Sequence, residues 1–524
     1  MDKWLTYSPV YGHGNATITL SASTLTGLQD RIATLIATGS QEGQTLSATT
    51  VVTQKLTPSE KYLTFNISSA GTINWKTSKS SIARTIEYKL NDGNWASITS
   101  NTTGVAINVV AGDKIQFRGN NVTYGSSSSY YNTFDGSTAE FEIEGNIMSL
   151  INSTDFSALT TLESDYTFCR LFYNCSGLVS AENLILPATT LANICYESMF
   201  QGCTKLTTAP ALPATTLAER CYDSMFSGCT LLASAPELPA NTLAERCYSS
   251  MFTGCKKLTI PPELPATTLA NYCYDSMFSG CTSLTTVPAL PATALTFCCY
   301  NSMFQGCKKL TTAPSILPAT TLAERCYQSM FQGCTLLASA PELPATTLAN
   351  YCYTGMFQGC TSLTTAPALP ATTLATWCYY NMFYGCTKLT TAPSILPATT
   401  LANSCYESMF RGCTKLTTAP SILPATTLAE RCYDSIFMDC SSLTTAPELP
   451  ATTLVYGCYR SMFRGCNYLN YIKCFAIDIS ASYCTDSWVN GVSSTGTFVK
   501  NPNMTSWPTG TSGVPKGWTV IDAS

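Results

Sequence analysis

A phrase of about 26 residues is written again and again between Leu184 and Val492, and no other feature of this chain so restricts what it can fold into. One copy reads LPATTLAERCYDSMFSGCTLLASAPE, from Leu212 to Glu237. Eleven copies carry Cys-Tyr-x-x-Met/Ile-Phe-x-x-Cys, beginning at Cys195, Cys221, Cys247, Cys273, Cys299, Cys326, Cys352, Cys378, Cys405, Cys432 and Cys458. The steps are 26 or 27 residues, and the longer ones fall where APSILPATT replaces APELPATT or APALPATT, as at Ser315-Ile316-Leu317. An extra residue tolerated at one fixed place marks a loop. Repetition at this period predicts a solenoid, in which each unit leaves an apolar face that its neighbours cover.

Within a copy, Leu217, Cys221, Met225, Phe226 and Cys229 recur while the residues between them change. The recurrent set is read as the core. Cys221 and Met225 are four apart, and Phe226 and Cys229 three apart, a spacing that predicts one or two turns of α or 3₁₀ helix. The Leu-Thr-Thr-Ala-Pro-x-Leu segment, with its prolines, is the expected strand. Strands stacked at ~4.8 Å make a parallel sheet, and thirteen turns would span roughly 60 Å.

The run CYDSMFSGCTSL, Cys273 to Leu284, resembles the IGxxAFxxCxxL pattern of BspA-type leucine-rich repeats, which occur in surface proteins of gut and oral bacteria and of their phages. Cysteine stands where those repeats usually carry isoleucine, and methionine where they carry alanine. Both exchanges are apolar for apolar.

The chain has 27 cysteines. Two per copy, at recurrent core positions, describe ladders of reduced, buried thiols better than staples; disulfide bridges and, behind them, a metal site are the alternatives. His13 is the only histidine, which leaves few metal ligands. Charged residues are 11% and the net charge is −4, so there is no basic footprint for nucleic acid. No run of 18 apolar residues is present, so no membrane insertion is expected. Met1 leads into strand-like sequence without an apolar leader, an expectation against the usual secretion route.

The predicted fold is mainly β with short helices: two small N-terminal Ig-like β-sandwiches, then a leucine-rich-repeat solenoid of about 13 turns and a C-terminal β cap. Over residues 1–55, alternation at Ala16, Ile18 and Leu20 and at Ala33, Leu35 and Ala37 indicates the first sandwich. With Trp4 to Pro9, Gly12 to Ala16, Arg31 to Leu35 and Val52 to Lys55, it resembles the BACON domain, an immunoglobulin-like module of Bacteroidales and their phages. Residues 56–146 hold seven expected strands, with tight turns at Asn91-Asp92-Gly93-Asn94 and Ala111-Gly112-Asp113, the glycine of Asp-Gly supplying positive φ. Ser126 to Ser129 is read as a flexible loop followed by two exposed rings, Tyr130 and Tyr131. The solenoid is expected over 147–492, opened by a degenerate turn at Phe168 to Cys175 and closed by another at Cys484 to Val492, with the cap over 493–524.

No catalytic set, cofactor site or metal site is expected. Glu219, Glu245, Glu324 and Glu430 recur as Ala-Glu-Arg and read as a solvated edge. The residues before each first cysteine vary, and aromatic ones gather in the middle and late turns. Tyr351, Trp377, Tyr379, Tyr380 and Tyr384 are the candidate ligand-binding patch, the alternative being rings packed along a ridge between turns; Tyr130 and Tyr131 form a second candidate. The combination of modules resembles accessory fibre or decoration proteins of phages infecting gut Bacteroidales. That resemblance implies a non-enzymatic virion-surface protein of head or tail. Its N-terminal modules would meet other virion proteins, a homo-oligomer such as a trimer is compatible with it, and its solenoid would adhere to a host-surface glycan or protein. A BspA-type bacterial cell-surface adhesin is the alternative, and an accessory module of a carbohydrate-processing enzyme the third.

Overall fold

A computed structural model of the chain describes residues 60–524 and, before them, the backbone of four strands. Strand β1 (Leu5–Ser8) pairs antiparallel with β2 (Thr19–Ala22), and β3 (Arg31–Gln41) with β4 (Gln44–Gln54), Arg31 facing Gln54. Trp4, Pro9, Gly12 to Ala16 and Lys55, which carry part of the BACON resemblance, lie outside the described residues.

From Leu63 onward two sheets face each other. One holds β5 (Leu63–Ile67), β7 (Thr85–Leu90), β8 (Ala96–Thr99), β10 (Lys114–Arg118) and β13 (Phe141–Asn146); the other holds β6 (Gly71–Thr77), β9 (Val105–Val109), β11 (Gly125–Ser127) and β12 (Tyr130–Thr133). Alternate residues point inward, as the pleat requires. Phe65, Ile73, Trp75, Ile115, Phe117, Phe134 and Phe141 fill the space between the sheets. In the β7–β8 turn the positive φ falls on Asn91 (49°) and not on Gly93 as expected; Asn91 Oδ1 accepts the Lys114 N–H at 2.8 Å. The segment expected as a flexible loop at Ser126–Ser129 is instead the β11–β12 hairpin.

The solenoid has no helix in its repeats; among the described residues helix is limited to 3₁₀ geometry at Glu60 and 3₁₀ turns at Ser80–Ile82 and Ile147–Leu150. Around Cys221 the N–H groups alternate. Arg220, Tyr222, Ser224, Phe226 and Gly228 donate to Glu245, Cys247, Ser249, Met251 and Thr253 of the next turn at 2.7–3.1 Å, while Asp223, Met225, Ser227 and Cys229 donate three residues back at 3.0–3.2 Å. Every fourth residue is left-handed: Arg220 (φ 54°), Ser224 (57°) and Gly228 (75°). A four-residue rhythm with two side chains in and two out results. Cys221-Tyr222 and Met225-Phe226 are buried, and Cys229 closes the set. The spacing read as helix therefore belongs to a ribbon of tight turns, each returning the backbone to the same face.

The expected Thr-Pro strands reduce to single parallel bridges, such as Thr365 to Thr391 to Thr418, because proline brings no N–H to a ladder. Continuous strands form only where the prolines stop: β14 (Leu178–Ile185) at the start, and β15 (Tyr471–Cys474), β16 (Thr497–Lys500) and β17 (Thr519–Asp522) at the end. The inserted isoleucines Ile316, Ile395 and Ile422 are exposed, as a loop insertion predicts. Strand β14 pairs in parallel with β13, so the sandwich sheet runs into the first turns of the solenoid. Gly177 allows that approach, since a Cβ there would lie 2.0 Å from the Ala139 carbonyl oxygen.

Candidate functional site

Because each copy buries the same side chains, its outward residues fall into columns along the solenoid. The buried side is filled by two ring ladders. From Phe172 to Phe463 each Phe stacks on the next at 5.3–6.0 Å. The Tyr ladder, Tyr196 to Tyr459, runs beside it. All 27 cysteines are buried free thiols. From Cys203 to Cys466 the second thiol of each copy donates to the Phe carbonyl of the preceding turn at 3.0–3.2 Å. Burial pushes such thiols up, Cys221 to about 12, so they are inert as nucleophiles at neutral pH.

The expected aromatic patch divides in two. Tyr379 belongs to the buried ladder and leaves the surface. Tyr351 and Trp377 occupy successive left-handed positions of the first column; their rings meet at 4.8 Å, Arg325 lies over Tyr351 at 4.4 Å, and Trp377 keeps 36% of its surface in solvent. The pair packs between turns and still presents a face to solvent. Arg246, Tyr272 and Phe297 repeat the arrangement lower on the ridge, with the guanidinium 4.0 Å from the Tyr272 ring.

Tyr380 and Tyr384 stand in the second and third columns and line a cleft of about 390 Å³ with Glu407, Arg411, Arg431, Asp434 and Arg460. Arg431 bridges Glu407 at 3.5 Å and Asp434 at 3.1 Å, and Arg460 reaches Asp434 at 3.9 Å. The same constellation occurs near the sandwich, where Arg220 bridges Glu197 at 3.1 Å and Asp223 at 3.2 Å. There the Ser128 hydroxyl of the β11–β12 hairpin donates to Glu197 at 2.9 Å. Burial raises the Glu197, Asp223 and Glu407 carboxyls above the ordinary range, against the pull of the arginines. The acids of these constellations are thus not the Ala-Glu-Arg glutamates, of which Glu324 pairs with its neighbour Arg325. Reading the residue two after each first cysteine down the chain, as Tyr380, Glu407, Asp434, Arg460, exposes this column in the sequence.

Tyr130 and Tyr131 point to opposite sides of β12 and make no common platform. Tyr130 is exposed beneath Lys79 (4.1 Å), whereas Tyr131 packs on Tyr173 (5.7 Å) and Arg170 (5.3 Å). Among the described residues no group of three His, Cys, Asp or Glu is placed to hold a metal ion, and no helix is long and apolar enough to cross a membrane. His13 lies outside the described residues.

The family model described as BspA type leucine rich repeat region (6 copies) matches residues 165–311, 263–390 and 325–470. No curated protein matches the sequence. Among solved structures, a leucine rich cell surface protein from Faecalibacterium prausnitzii is 18% identical, covering 60% of this chain and 83% of its own, with a TM-score of 0.34. That superposition is too loose to bear on function.

Proposed function

Since the chain belongs to the BspA-type leucine-rich repeat family, we propose that it is a non-enzymatic, surface-displayed adhesive protein whose solenoid ridge holds a host-surface glycan or protein. The observation that supports this most is the Tyr351–Trp377 pair, because it offers an apolar face on a backbone that is already fixed. Tyr351 and Trp377 donate their N–H groups to Thr376 and Asn403 of the following turns at 3.1 and 3.2 Å, so little order is left to be lost on binding. Display on a bacterial cell surface is the favoured placement. The virion surface stands second, since it leans on the BACON resemblance of residues 1–55. Changing Tyr351 and Trp377 together to Ala should abolish attachment to host cells or mucosal glycans while the protein still folds, its melting temperature lowered only by the packing the two rings share. Full attachment by the folded double variant would sink the reading.

A further inference from the structure

The two Glu–Arg–Asp constellations differ in what faces the glutamate. At Glu197 the second carboxylate oxygen receives the Ser128 hydroxyl, delivered by the sandwich hairpin. At Glu407 the cleft is walled only by solenoid residues, and the hydroxyl that faces the carboxylate is that of Ser404 from its own turn, which holds the Glu407 carboxyl down against the effect of burial. Glu407 and Asp434 are still mostly buried, with side chains 14% and 5% exposed. Two phenol rings, Tyr380 and Tyr384, form one side of the cleft. Arg411 lies 5.5 Å from the Tyr384 ring and takes no part in the ion pairs of Glu407, Arg431, Asp434 and Arg460. Three arginines therefore face two carboxylates, a surplus of one positive charge.

We infer that this cleft binds an acidic saccharide: sugar hydroxyls bond to Glu407 and to the phenol hydroxyls of Tyr380 and Tyr384, and the sugar carboxylate pairs with Arg411. Sugars combine several hydroxyls and a carboxylate on one rigid unit, and the polar lining of the cleft offers a counterpart to each. Asn381, Ser408 and Ser435 complete a wall with little apolar surface for a peptide side chain. The inference rests on the adhesive reading only in taking the solenoid as the part that binds.

The test uses the full chain, with tetragalacturonic acid as probe, its methyl ester as the neutral control and tetraglutamate as the acidic peptide control, each followed by calorimetry. The acid should bind at least about tenfold more tightly than the ester or the peptide, the scale of one charge-assisted contact. Arg411→Ala should weaken it about tenfold with unchanged melting temperature, Arg411→Lys should recover part of the loss, and Ile260→Ala, at an exposed position on a distant turn, should leave it unchanged. No binding of the acid, equal binding of ester or peptide, or an indifferent Arg411→Ala variant would each overturn the inference. Loss at Arg411 with cell attachment surviving removal of Tyr351 and Trp377 would overturn the ridge instead and leave the cleft standing.

Discussion

Three residues of each copy sit in the left-handed region, where an L side chain costs roughly 1–2 kcal/mol and glycine almost nothing. In the turn of Arg246 these are Arg246, Ser250 and Gly254. Serine at φ 52° is retained although glycine would relieve the crowding. Ser250→Gly should therefore stabilise the protein by about 0.5–1 kcal/mol, the relief being offset in part by glycine's greater chain entropy. Gly254→Ala should destabilise it by about 1 kcal/mol for the converse reason. A Cβ at Gly254 would come no closer than 3.9 Å to Gly228, so conformation and not crowding sets that loss. Urea midpoints of the two variants shifting in the same direction would contradict this account. The thiols give a second check. Native protein should react with few equivalents of an alkylating agent, and denatured protein with all 27 without added reductant. Denatured protein that resists alkylation until reduced would show bridges.

One element of the surface ties stability to pH. Because burial raises the Glu197 and Asp223 carboxyls, the native state binds their protons more tightly than the unfolded chain does. Their contribution is fully present below the ordinary values of 4.5 and 3.8 and is lost as pH rises through the higher native values. Melting temperature should fall from pH 4.5 toward neutrality, and Glu197→Gln should flatten that slope; a parallel slope in the variant would remove the pair as its source. The element scale also separates what the sequence discloses from what it hides. The repeat, its inward residues and the loop position of Ile316 are legible because each is written along the chain. The ribbon of turns is less so, since a step of four from Cys221 to Met225 suits a helix equally; the Ser and Gly at every fourth position carried the distinction. The Glu407 cleft is hidden for another reason. Its walls are neighbours across turns, some 26 or 27 residues apart in sequence, and local pattern does not register them.

At the scale of the whole molecule, the ring ladders join sandwich, solenoid and end. Phe65 meets Phe134 at 4.9 Å, Phe134 stacks on Phe172 at 5.6 Å, and the Phe ladder continues from there. Trp75 meets Tyr124 at 5.8 Å, which stacks on Phe168 and so enters the Tyr ladder at Tyr196. Both ladders end on Trp488, against Tyr459 at 6.3 Å and Phe463 at 6.2 Å, with Trp507 stacked beyond it at 5.6 Å. Residues 60–524 should accordingly melt as one calorimetric unit, the sandwich unfolding with the repeats that continue its core. Two resolved transitions, one removed by deleting the solenoid, would contradict this.

The direction of the hydrogen bonds between turns has a mechanical consequence. They lie along the solenoid axis, five to a rung at Arg220 to Gly228, so tension between the two ends loads one rung at a time instead of shearing many together. A chain held at one end and pulled through its ligand should peel turn by turn. Each event would release about 26 residues, roughly 90 Å of slack at ~3.4 Å per residue. Single-molecule pulling should show a sawtooth of evenly spaced, nearly equal peaks, the signature of a tether that lengthens under load before its grip fails.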